Sequence, residues 1–140
     1  MRYLTPEREK EIKDEFNEIL ASEPQRLDKE IVPYLIEING LEGVATVMSC
    51  VGHHGDTGCS LRAMGYLLLF LNEEKSKRFY ETMDRMTILN SATRIFMRYE
   101  WDCTLRRYTE KFEITFQGMD CGEEAFRTSM VGIVSFLKSL

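Results

Sequence analysis

The residues best suited to chemistry are gathered in one stretch, Ser49-Cys50-Val51-Gly52-His53-His54-Gly55-Asp56-Thr57-Gly58-Cys59-Ser60-Leu61-Arg62. It holds both histidines of the chain, two of its four cysteines and three of its nine glycines, so a ligand, metal or substrate is expected here. A metal reading uses Cys50, His53 or His54, and Cys59, with Asp56 as a further donor. Thiolate and imidazole suit zinc, and four such donors close a tetrahedron. The spacing, C-x2-H then x5-C, is not that of a standard finger or ribbon. A nucleophilic reading takes Cys50 as the thiolate and His53 as its base, which requires the imidazole close to the sulfur; no cysteine-hydrolase signature surrounds the pair. A binding reading uses the glycines, which let backbone N–H groups approach an anion, with Ser49, Thr57, Ser60 and Arg62 as added donors. The stretch is not the G-x4-G-K-[ST] phosphate loop, and a glycine-bearing hairpin connection accounts for the same composition without any ligand.

The binding reading carries the expectation: a small polar or anionic ligand contacted by Ser49, Cys50, Gly52, His53, His54, Asp56 and Arg62. Zinc held by Cys50, His53 and Cys59, in a non-enzymatic metal-binding or protein-interaction domain, is the alternative. A second candidate surface comprises Arg94, Arg98, Arg106, Arg107 and Lys111 with Tyr108 among them and Glu100, Asp102 and Glu113 opposed. Basic residues beside an aromatic ring suit a phosphate or an RNA strand; a solvated sheet face with charges paired across strands has the same composition. Of the eight methionines, Met83, Met86, Met97 and Met130 fall on apolar stripes and read as core filling.

These groups must be positioned by a chain of 140 residues, 44% hydrophobic, which suits a single domain over 1–140. Its apolar runs are shorter than the roughly 18 residues that cross a bilayer, and Met1 to Lys13 is charged rather than signal-like. No membrane partner and a cytoplasmic location are expected, with the cysteines as thiols. The net charge of −5 is concentrated early: residues 1–40 carry six Lys/Arg against ten Asp/Glu. Bulk attraction to a polyanion is therefore disfavoured, although a local basic patch is not.

Thr5-Pro6-Glu7 reads as a helix start, with Ile12, Phe16, Ile19 and Leu20 on one face. A second helix is expected from near Asp28, burying Ile31, Leu35 and Ile38, with Pro33 in its first turn and Asn39-Gly40 as a left-handed cap. Strands are expected over Val44–Val51 and Met64–Leu71, the latter covered on both faces, and a third helix from Asn72 with Phe79 inward. Two alternating strands follow, Arg94–Trp101 and Tyr108–Phe116. Asp120 and Glu123 then resemble a capping box ahead of a helix lined by Phe126, Met130, Ile133, Leu137 and Leu140. The expected fold class is α+β: two N-terminal helices followed by two β-β-α units, forming a four-stranded, largely antiparallel sheet with helices mainly on one face.

The segment Thr46-Val47-Met48-Ser49-Cys50-Val51-Gly52-His53, preceded by Ile36-Glu37-Ile38-Asn39 and followed by Gly65-Tyr66, resembles the central motif of the wybutosine-synthesizing protein 3 family. In that motif a helix ending in Ile-Asn leads to a strand that ends S-C-x-G and a basic residue. Ser49, Cys50 and Gly52 match it, and His53 stands where arginine is usual. The resemblance covers about residues 31–70. It implies a related fold or ligand loop, S-adenosylmethionine as cofactor, and a role in tRNA modification.

Overall fold

The computed structural model describes residues 3–51, 64–89, 93–103 and 106–140, and of 83–89, 96, 98–100 and 102 it describes the backbone alone. Thr5 accepts the Arg8 N–H at 3.2 Å and Pro6 opens α1, Pro6–Ser22, which is the expected capped start. A 3-10 turn, Pro24–Arg26, leads to α2, Val32–Asn39. The chain then forms β1 (Val44–Cys50), β2 (Met64–Leu71), α3 (Glu73–Leu89), β3 (Arg94–Asp102) and β4 (Arg107–Gln117). A second 3-10 turn, Met119–Cys121, precedes α4, Glu123–Ser139.

The sheet is antiparallel throughout, in the order β1-β2-β4-β3. The fold class is α+β, with two helices ahead of two β-β-α units. The two hairpins meet through their second strands, the arrangement an approximate two-fold between β2 and β4 generates. In each unit the first strand is therefore an edge.

Helices α2, α3 and α4 cover one face. Leu35, Ile38, Phe79, Phe126, Met130, Ile133 and Leu137 join Leu67, Leu69, Leu71, Phe112, Ile114 and Phe116 in one buried cluster. Each such side chain contributes roughly 1.5–3 kcal/mol on leaving water. The expected stripe of α4, Phe126 to Leu140, is buried throughout. On the opposite face Leu4, Ile12, Ala45 and Phe70 form a second, smaller cluster, so β2 is covered on both sides as its unbroken apolar run predicts. Asn72 caps α3 by accepting the Lys75 N–H at 2.9 Å.

Four local expectations are corrected. Helix α2 begins at Val32, not near Asp28, and Pro33 sits in its first turn, where a missing N–H costs nothing. Gly40 is right-handed, with φ −76°; the left-handed glycine is Gly43, at φ +76°. A Cβ on Gly43 would lie 2.2 Å from Asn72 Nδ2, so the turn needs glycine for both reasons. The capping box before α4 does not form: Asp120 is inside the 3-10 turn, and Gly122, at φ +110°, stands at the N-cap. Met97 is exposed on the edge strand β3, not core filling, and meets the hydroxyl of Tyr80 on α3.

Candidate functional site

An edge strand presents a row of outward N–H and C=O groups that need partners. In β1 these are managed by side chains. Glu9 on α1 accepts the Gly43 N–H at 2.8 Å just ahead of the strand. Asn39, buried at the end of α2, accepts the Thr46 N–H at 2.9 Å and donates to Thr46 Oγ1 at 2.7 Å. The Asp28 carboxylate accepts the Val51 N–H at 3.1 Å, and the Val51 carbonyl accepts from Met119 at 2.8 Å. The strand is thus fixed at both ends, and its exit toward residue 52 is anchored.

Between Thr46 and Val51 the ladder breaks. Thr46 pairs with Leu69 but Met48 pairs with Leu68, which leaves Val47 as a bulge. The bulge changes which side chains share a face. Thr46 opposite Leu69 and Ser49 opposite Leu67 both stand on the helix side, since Leu67 and Leu69 belong to the main core. Val47 and Met48 are left exposed.

Along this bulged segment β1 and α1 enclose a crevice of about 310 Å³. Ile12, Phe16 and Ile19 of α1 form one wall and Thr46 to Ser49 the other, while Leu27 and Leu35 close the apolar interior. Glu15 and Arg26 supply opposite charges at its lining. Arg26 also pairs with Glu23 at 2.9 Å, but both side chains are more than half exposed, so water screens that contact and leaves the guanidinium little committed. The crevice therefore offers an apolar interior, one cation, one anion and the polar groups of Thr46 and Ser49.

Of the residues singled out by sequence, Ser49 lines this crevice and Cys50 follows it on the strand, half-buried. Gly52, His53, His54, Asp56, Cys59 and Arg62 lie outside the described residues, as do Thr57 and Ser60. Cys50, Cys103 and Cys121 are thiols. Cys103 follows β3 at the end of the sheet opposite to Cys50, as the antiparallel registers require, whereas Cys121 follows β4 at the same end. Among the described residues no three metal-binding side chains gather.

The five basic residues are strung along the β3–β4 hairpin. Arg98 and Lys111 are direct partners, but Arg94 pairs with Thr115 and Arg107 with Asp102, eight rungs apart, or roughly 26 Å. Arg106 occupies the turn at φ +50°. Lys111 lies 5.5 Å from the centre of the Phe70 ring, a cation–π distance. The chain thus does not draw the five to one point.

Sequence reasoning missed Glu15, Arg26 and Leu27, because the crevice joins residues from Ile12 to Ser49 with no motif among them. The exposure of Val47 and Met48 marks the crevice only once the strand register is known. No helix among the described residues is long and apolar enough to cross a membrane. Comparison of the chain with protein-family models, curated proteins and solved structures gave no match.

Proposed function

We propose that this domain binds a small molecule with an apolar body and a charged, zwitterionic end in the crevice between α1 and β1. The observation that carries the reading is that Ser49, where the chemically dense stretch begins, lines a crevice that also holds Arg26 and Glu15. A cleft that combines apolar walls with a few polar groups is what small-ligand sites have in common. Arg26 suits a carboxylate or phosphate, Glu15 suits an ammonium or sulfonium, and Phe16 belongs to the apolar wall that a ring would pack on. S-adenosylmethionine, the cofactor implied by the sequence resemblance, carries all three complementary features and is the first compound to test. RNA is the class of second substrate that the same resemblance implies.

A thermal-shift screen with S-adenosylmethionine, S-adenosylhomocysteine and nucleotides tests this. At a ligand concentration of a hundred times Kd the folded state gains about 2.7 kcal/mol, a rise in Tm of roughly 5–10 °C for a chain this size. Arg26→Glu alters a largely exposed side chain, so it should leave the unliganded Tm unchanged and weaken binding at least about tenfold, the loss of one charge-assisted contact. No shift with any of these compounds, or equal binding by the variant, removes the assignment.

A further inference from the structure

The two β-β-α units end in equivalent edges, and the chain treats them differently. β1 is flanked by α1, capped at Thr46 and Val51 by Asn39 and Asp28, and bulged at Val47. Among the described residues β3 has none of these devices. It pairs with β4 through nine consecutive partners, Arg94↔Thr115 to Asp102↔Arg107, without a bulge, and its sequence contains no proline. The helix before it, α3, packs on the face of the sheet through Phe79, which contacts Phe112 and Phe136. A long, flat, regular edge is a template for another strand unless it is covered.

The apolar surface has the same address. Of the eight large apolar residues exposed among the described ones, Tyr80, Met97, Trp101 and Tyr108 stand at this edge. Trp101 and Tyr108 are 53% and 61% exposed although their rings pack edge-to-face at 5.3 Å. Met97 meets the Tyr80 hydroxyl. Exposed aromatic and methionine side chains, here contributed by β3, β4 and α3, are enriched at protein interfaces rather than on solvated surfaces.

We propose that β3 pairs antiparallel with β3 of a second copy of this chain, joining two sheets into one of eight strands about a two-fold axis at Tyr99. The strand is complementary to itself in that register. With Tyr99 opposite itself, Arg98 stands across from the partner's Glu100, and Met97 across from the partner's Trp101, each twice by symmetry. Centring on Arg98 instead would also give two opposite-charge pairs, Arg94 with the partner's Asp102, but would set two arginines face to face on the axis. Opposite charges and aromatic pairs directly across a ladder are favourable and like charges are not, so the Tyr99 register is selected. The interface is independent of the crevice at β1, which lies at the other edge.

Light scattering on the eluting 140-residue chain should give twice the 16.4 kDa of one copy. Glu100→Arg opposes two arginines at both symmetry-related positions and should raise the dimer dissociation constant about tenfold or more. Adding Arg98→Glu to it restores the complement with the charges exchanged and should return the dimer. Trp101→Lys supplies an independent break at an exposed position, and circular dichroism melts confirm that each variant is folded. A wild-type chain that stays monomeric up to millimolar concentration overturns the proposal and leaves the edge to a different partner. A double variant that stays as weakly associated as the single one also overturns it.

Discussion

Gly65 stands where two effects of opposite sign compete, and magnitudes decide between them. Replacing a glycine in extended backbone by alanine normally stabilises by about 0.4–1 kcal/mol, because the unfolded chain loses freedom. Here the added Cβ would lie 2.4 Å from Phe116 Cε2 and 2.5 Å from the Cys50 carbonyl oxygen. The second contact is to backbone, so β1 itself must move. Overpacking of this kind costs about 1–3 kcal/mol or more, which exceeds the gain. Gly65→Ala should therefore lower stability in urea denaturation by about 1–2 kcal/mol, the difference of those terms. A stabilised variant would show that β1 and β2 approach each other less closely than described.

At the scale of elements the question is what holds β1, since its outer edge carries the crevice. Asp28 is the far anchor. Its carboxylate reaches the N–H of Val51, which is 1% exposed, and a hydrogen bond to a charged acceptor contributes about 1.5–3 kcal/mol. Asp28→Ala should speed hydrogen exchange at Val51 about tenfold or more, as local opening becomes easier, while Val44 and Ala45 keep their protection. Equal exchange at Val51 would mean that the Met119 contact alone fixes the strand. Elements of this kind were legible in sequence wherever burial is periodic. The apolar run of β2 gave its bounds, Met64–Leu71, and the stripe from Phe126 gave the buried face of α4. The strand edges were not legible. Asp28 looks like a helix start by its type, yet its oxygen is used 23 residues away. A bulge at Val47 is a matter of register, and alternation within one strand carries no information about its partner. Of the crevice lining only Ser49 stands in the stretch singled out by sequence, whereas Arg26 and Leu27 enter only through packing.

For the molecule as a whole, the crevice exists because α1 is docked beside the sheet, and a small polar cluster sets that docking. Lys13 Nζ donates to Glu9 Oε1 and to the Leu41 carbonyl, both at 2.6 Å, while the same Glu9 oxygen accepts the Gly43 N–H at 2.8 Å. The Lys13 and Glu9 side chains are about four-fifths buried, so this cluster is screened less than the exposed pairs of the helix surfaces. It clamps the first half of α1 to the turn before β1, and the helix then carries Ile12, Glu15, Phe16 and Ile19 along the crevice. Removing the carboxylate leaves an ammonium and an N–H short of an acceptor, at a cost of about 1.5–3 kcal/mol. Glu9→Ala should consequently lower the melting temperature by several degrees and also weaken any ligand that Arg26→Glu weakens, although Glu9 does not line the crevice. Glu9→Gln, which keeps an acceptor oxygen but not the charge, should fall between the two. If Glu9→Ala lowers Tm and leaves ligand affinity intact, α1 is a support for the sheet and not a wall of the site.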